Sequence, residues 1–280
     1  MPIHDQGYRR YEGHRVPVGR AWWTMARMHL VTAFKRRWFL LLVFAGWVRF
    51  LGYAGFYIVG PVFIPQMSTF AEMNPQVFRN FLNGQGFFVF LITIVLGGLI
   101  ADDRRANALQ LYLSKPLTRV EYILGKAAPL LILILGLTLV PGLCLILLQI
   151  VFSGSLSFLA NNLFLLPAIT LASLIRALLS TAMILALSSL SKSRRFVAVM
   201  YAGIIFFTLA MQQVLRGITG SRAWAAIAPS NMMDVFTDWV FRVRGPQPVP
   251  IYVAVLVIVG LIALSAWILE RKVRPVEVVA

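Results

Sequence analysis

Charge is scarce in this chain, and acidic charge most of all. Of its 280 residues, 13% are Asp, Glu, Lys or Arg, and only ten are acidic. Soluble domains carry about 25% charged residues. The chain is instead 59% hydrophobic, with a mean hydropathy of +0.80 and apolar runs between residues 39 and 269. This composition excludes a soluble enzyme with one anchor and predicts an all-α integral membrane protein.

Motifs for catalysis and nucleotide binding are also missing. No G-x-x-x-x-G-K-[ST] occurs, because Gly125-Lys126 has no glycine five residues before Gly125. The three histidines lack the paired spacing of a metal site, and the single cysteine lies in an apolar run. No carboxylate lies mid-span, which disfavours a proton- or sodium-driven carrier. We therefore expect no enzymatic activity and no cofactor bound by this chain.

Apolar segments predict six membrane spans in one domain over residues 39–270. The segments are approximately 39–60, 86–101 (starting a little earlier), 127–151, 163–190, 196–214 and 249–269. The segments between these spans are alternately rich and poor in Lys and Arg along the chain. Nineteen of 26 fall on one side (eight in 1–38, five in 102–126, three in 192–195 and three in 271–280), and five fall on the other. By the positive-inside rule both termini are cytoplasmic, in a plasma (inner) membrane, and the basic charge requires no nucleic acid partner.

The segments outside the spans differ in character. Within the cytoplasmic segment 1–38, the stretch from Gly19 to Trp38 combines tryptophans with basic residues, which predicts a helix on the membrane surface. Residues 61–85 predict an ordinary outer connection. Residues 215–248 are too apolar for a free loop, so we expect either short re-entrant helices broken at Pro229-Ser230 or an interfacial loop with aromatic anchors.

Two arginines, Arg49 and Arg176, interrupt the first and fourth predicted spans. An arginine at the bilayer centre costs roughly 2.5–3.5 kcal/mol on insertion scales, so each should face protein or water. Both are therefore candidate pathway residues that meet an anionic or polar substrate group. The alternative is a structural role, in which each caps backbone carbonyls or snorkels to the interface.

The polar segment 102–126 is the longest charged stretch between two spans. Pro116 predicts that a first helix ends near Ser114. Thr118 and Glu121 then form a capping-box pattern, which predicts the start of a second helix before the third span. A polar helical segment tethered to the membrane at both ends can pass force between a soluble partner and the bilayer domain. The alternative is a solvated loop with no partner.

Two stretches of this segment, Asp103–Leu109 (DRRANAL) and Ser114–Lys126 (SKPLTRVEYILGK), carry a specific resemblance. The chain resembles the permease subunits of ABC transporters of the six-span, type-2 exporter family. About 30 residues match the family pattern closely, and the order of the remaining segments matches it loosely.

The resemblance implies a permease that pairs with a second copy or a homologue and binds two cytoplasmic ATPase subunits, which hold ATP and Mg. It implies that residues 102–126 form the coupling helix, that the amino-terminal helix approaches the ATPase and that residues 215–248 help to close an outer gate. The expected ATPase-coupling residues are Asp102, Asp103, Arg104, Arg105, Leu117, Arg119 and Glu121. Fold-level analogy does not specify the cargo. The alternatives are a self-contained channel or carrier and a membrane scaffold.

Overall fold

The computed structural model describes residues 21–64, 66, 73–108, 118–153 and 157–273, and all regular structure in these ranges is helical. Six helices are long and apolar enough to cross a membrane, which confirms the predicted number of spans. We number them in chain order: span 1 (Arg37–Phe63), span 2 (Pro75–Arg105), span 3 (Arg119–Ser153), span 4 (Leu165–Leu190), span 5 (Arg194–Thr219) and span 6 (Ile251–Lys272). Span 4 is the most buried of the six, and spans 5 and 6 lie at the periphery.

Span 2 begins well before its apolar run. The Asn74 side-chain oxygen accepts a hydrogen bond from the backbone N–H of Val77 at 3.1 Å, and Pro75 occupies the first turn, where its missing N–H is not needed. The expectation that residues 61–85 form an ordinary connection is therefore wrong from Pro75 onward. As a consequence, the polar residues at positions 76, 80 and 83 lie half-buried on one face of this helix.

Span 3 begins at the predicted capping box. The backbone N–H and hydroxyl of Thr118 each donate to a Glu121 carboxylate oxygen at 2.9 Å, and the Glu121 N–H donates back to the hydroxyl at 3.2 Å. The helix then continues to Ser153 through two prolines, so the second helix predicted from Thr118 and span 3 form one continuous helix. The predicted break at Pro116 lies outside the described residues.

The amino-terminal helix, Ala21–Phe34, packs against the start of span 3. The closest approach is at Gly125, where an added Cβ would lie 2.9 Å from the Met25 sulfur and 3.2 Å from the Trp22 carbonyl oxygen. Glycine is therefore the residue that lets the two helices touch here. The described helix falls within the predicted stretch, of which the residues up to position 20 lie outside the described ranges.

Within the predicted segment 215–248, two short helices follow the end of span 5. Gly220, with a φ of +66°, ends span 5 in the left-handed conformation that favours glycine. A 3₁₀ helix at Arg222–Ile227 and an α-helix at Pro229–Val240, here called the outer helix after the side predicted for it, follow Gly220. Ala228 separates the two helices, and the predicted break residues Pro229-Ser230 begin the outer helix. Asn231 of the outer helix donates a 2.6 Å hydrogen bond to Gln212 of span 5. A re-entrant position in the membrane remains a prediction.

Candidate functional site

The charged end of the bundle, defined here by residues 99–108 and 118–121, is positioned by a break in span 2. The helix turns at Gly97-Gly98, where an added Cβ would collide with Ile184 and Arg194 respectively. The Ser188 hydroxyl of span 4 accepts hydrogen bonds from the backbone N–H groups that follow the break, those of residues 100 and 101, at 3.1 and 3.0 Å. Span 4 therefore fixes the direction in which the charged residues after the break leave the span.

A buried polar cluster joins three elements at the charged end. The Lys126 ammonium of span 3, whose side chain is 1% exposed, lies 2.7 Å from a carboxylate oxygen of Asp103 at the end of span 2. The Tyr122 hydroxyl donates to the same oxygen at 2.7 Å, and His29 Nε2 of the amino-terminal helix lies 3.0 Å from the ammonium. The cluster of Asp103, Lys126, Tyr122 and His29, which we call the anchor cluster, was not predicted from the sequence.

His29 is the titratable group of the anchor cluster outside the spans. Burial, and secondarily the positive charge of Lys126, lower the pKa of His29 from 6.5 to about 4, against the opposing effect of Asp103. His29 is therefore neutral near pH 7. A neutral imidazole can accept a hydrogen bond from the Lys126 ammonium, so its ring nitrogen compensates the buried charge.

The predicted ATPase-coupling residues fall into two groups. Three are exposed at the charged end: Asp102, whose carboxylate also lies 3.8 Å from Arg194 of span 5, Arg105 and Arg119. Three bond within the chain: Asp103 lies in the anchor cluster, Arg104 donates to the Ser189 carbonyl of span 4, and Glu121 caps span 3. Leu117 lies outside the described residues.

Arg49 of span 1 is bound by protein groups. Its Nη2 atom donates to the Asn80 carbonyl at 3.1 Å and to the Tyr53 hydroxyl at 3.2 Å, and its guanidinium lies over the Tyr53 ring at 5.1 Å. The guanidinium lies directly against Gly84 of span 2, where there is no room for a Cβ. This geometry ties span 1 to span 2.

Arg176 of span 4 lines a cavity of about 360 Å³ between spans 2, 4 and 5 and the outer helix. Its Nη2 atom donates to the Asn83 side-chain oxygen at 3.0 Å and lies 3.8 Å from a carboxylate oxygen of Asp234. Gly86 leaves room for the guanidinium, since a Cβ there would lie 2.7 Å from Nη1. The structure therefore places the two intramembrane arginines in different surroundings, with only Arg176 on the cavity.

The carboxylates of the outer helix were not recognised as partners of span residues. Asp234 keeps 39% of its side chain accessible because it lines the cavity, and its enclosure by surrounding protein raises its pKa, an effect that the charge of Arg176 opposes. One turn later, Asp238 pairs with Arg79 of span 2, away from the cavity. In the sequence, the helical spacing of polar residues before position 86 indicates that span 2 begins earlier and that these residues bind other polar groups.

The fold and site together define a multi-pass membrane component. It has six candidate spans, a charged segment anchored between spans 2 and 3, and, among the described residues, no group of three His, Cys, Asp or Glu side chains that could hold a metal ion. The sequence model for "ABC-2 family transporter protein" matches residues 25–273. The chain therefore belongs to the ABC-2 transporter family, as the membrane permease of an ABC transporter, and it lacks ATPase activity itself. No curated protein matches the chain.

Proposed function

We propose that this permease works with a dimer of separate cytoplasmic ATPase subunits, pairs with a second permease chain and exports its substrate. ABC permeases function with ATPase subunits, and this chain has no nucleotide-binding motif of its own. The observation that carries the proposal is the anchor cluster. Its Asp103–Lys126 ion pair joins the segment after span 2 to span 3, and His29 adds the amino-terminal helix.

The mechanism that follows is mechanical. Arg105 and Arg119 are exposed at the two ends of the segment between spans 2 and 3, where an ATPase can contact them. Asp103 and Arg104 hold the segment on the bundle, so displacement of the segment displaces spans 2, 3 and 4. In this proposal all seven predicted coupling residues, Leu117 included, belong to one ATPase-responsive unit, some as contacts and some as its attachment.

The pathway side of the proposal assigns the cavity to substrate. Arg176 faces the cavity and is a candidate substrate contact, whereas the bonds of Arg49 to span 2 support a positioning role beside the pathway.

The charged end is cytoplasmic in this proposal, and the outer helix faces the other side. A membrane-impermeant maleimide should then label Ser221→Cys in intact cells but Ser191→Cys only after lysis, in a Cys144→Ala background. The opposite labelling pattern would show that the charged end lies outside the cell and would contradict the proposed orientation.

The test of coupling is purification from native membranes in mild detergent, followed by mass spectrometry of the associated proteins. We expect a stoichiometric ATPase with the wild-type permease and its loss with the double variant Arg105→Glu/Arg119→Glu. The matched control is Arg271→Glu/Lys272→Glu, which reverses two exposed charges in the last turn of span 6, at the same end of the bundle. Retention of the ATPase by both variants would refute the coupling surface, and its absence from the wild type would refute the partner.

A further inference from the structure

The cavity beside Arg176 is large enough and open enough to hold a ligand. Its volume of about 360 Å³ falls within the range of small-molecule sites, which runs from about 300 to 1,000 Å³. Phe87 of span 2 and Phe206 of span 5 line it and yet keep 62% and 61% of their surfaces exposed. The cavity therefore opens sideways between spans 2 and 5, onto the lateral surface of the bundle.

The cavity walls are mostly apolar and aromatic. Phe90 stacks on Tyr201 at 5.8 Å between ring centroids and meets Phe206 edge-on at 5.6 Å. Leu179 and Met183 of span 4 add aliphatic surface. A lateral opening with such walls suits an alkyl chain that enters from the apolar layer of a membrane, because the chain stays out of water along the whole route.

The polar lining of the cavity includes two opposite charges close together. Arg176 and Asp234 lie 3.8 Å apart, beyond hydrogen-bonding distance, and Asn83 supports the guanidinium. Ser230, one turn before Asp234 on the outer helix, also lines the cavity. Its buried hydroxyl has no hydrogen-bond partner among the residues that the structure describes. The cavity therefore has space for a polar group of a ligand to contact both Arg176 and Asp234.

The charge balance selects the class of ligand. Among the cavity-lining residues the formal charges are one positive and one negative, so a ligand of net charge would leave one uncompensated charge in apolar surroundings. A zwitterion leaves none, because its anionic group can meet Arg176 while its cationic group meets Asp234. We propose that this cavity binds a zwitterionic amphiphile, with its headgroup at the Arg176–Asp234 pair and its alkyl chain along the aromatic wall. This inference rests on the proposed assignment of the cavity to substrate.

The test uses photolabelling of the full-length permease in nanodiscs. The probe is dodecylphosphocholine with a diazirine in its chain, and the discs contain phosphatidylglycerol, so the probe supplies the only zwitterionic headgroup. Mass spectrometry should place the label on the spans that line the cavity, near Phe90, Leu179 and Phe206. Unlabelled dodecylphosphocholine should compete about tenfold better than dodecyl phosphate or dodecyltrimethylammonium, because each of these lacks one of the two charged groups that the Arg176–Asp234 pair would engage.

Charge substitutions test the headgroup site by reversing the preference. Arg176→Gln leaves a net negative cavity and should make dodecyltrimethylammonium the best competitor. Asp234→Asn leaves a net positive cavity and should favour dodecyl phosphate. The matched control is the double variant Arg79→Gln/Asp238→Asn, which removes the whole ion pair one turn away on the same helix and outside the cavity, and so leaves the net charge near the cavity unchanged. It should keep the zwitterionic preference.

Further arms separate the sources of the ligand. Phosphocholine without a chain should not compete, and equal competition by it would overturn the amphiphile assignment in favour of a water-soluble zwitterion. Blocking of the label by phosphatidylethanolamine in the discs would identify a bilayer lipid as the source, and persistence of the label would identify a single-chain amphiphile. Label spread evenly over exposed lateral surfaces, or no change of preference in the variants, would overturn the proposal. No ATPase is present in this assay, so its failure leaves the coupling proposal standing.

Discussion

Lys126 of span 3 and Asp103 at the end of span 2 form a buried ion pair, with 2.7 Å between ammonium nitrogen and carboxylate oxygen. Breaking a buried pair leaves one charge uncompensated, which costs about 3–5 kcal/mol. We therefore expect Lys126→Met to destabilise the permease by about 3 kcal/mol in denaturant unfolding in detergent.

The double variant Asp103→Asn/Lys126→Met provides the control, because it removes both charges and leaves the Tyr122 hydroxyl a neutral acceptor. It should recover at least half of the lost stability. If the single and double variants are equally unstable, the side chain of Lys126 acts through packing and not through its pairing with Asp103.

Acidification should lower the stability of the folded permease through protonation of His29 in the amino-terminal helix. The pKa of His29 is about 4 in the folded chain and 6.5 by its ordinary value, so between these values the unfolded chain binds more protons than the folded chain. The contribution of His29 to stability is therefore complete above pH 6.5 and is lost as the pH falls towards 4. Stability measured across this window should decline less in His29→Gln, which cannot titrate. An identical decline in both proteins would place the titrating group elsewhere.

The helices were readable from the sequence, but their polar contacts were not. Apolar length predicted six spans, and the local pattern at Thr118 and Glu121 predicted a real capping box. Asp234 and Arg176 are 58 positions apart, and Lys126 and His29 are 97 apart, so only the packing of the helices reveals these partners. Span 2 was predicted too short because its first turns carry polar residues that pair inside the protein instead of facing lipid.

Gly125 should control the attachment of the amino-terminal helix. Valine at this position would place side-chain atoms against Met25 and the Trp22 carbonyl, and overpacking of this kind costs about 1–3 kcal/mol. We expect Gly125→Val to increase hydrogen exchange in the backbone of Ala21–Phe34. Gly136→Val, in the same span, is the matched control, because an added Cβ there meets no atom within 4 Å among the described residues. Equal protection of the helix in both variants would contradict this packing role.

Glu121 has two candidate roles, a helix cap and an ATPase contact, and glutamine separates them. Glutamine can still accept the hydrogen bonds of the capping box, whereas Glu121→Ala removes the carboxylate half of the box and leaves the Thr118 N–H without this partner, at a cost of about 1 kcal/mol. If Glu121 acts by capping, Glu121→Gln should retain the ATPase in mild-detergent purification and keep wild-type stability, while Glu121→Ala loses stability. If its charge contacts the ATPase, both variants should lose the ATPase, and only Glu121→Ala should also unfold more readily.

Because both partners of the Glu121 carboxylate in the structure are groups of Thr118, we expect the outcome in which Glu121 acts by capping. The loss of the ATPase from a stable Glu121→Gln would instead move Glu121 to the contact surface with Arg105 and Arg119.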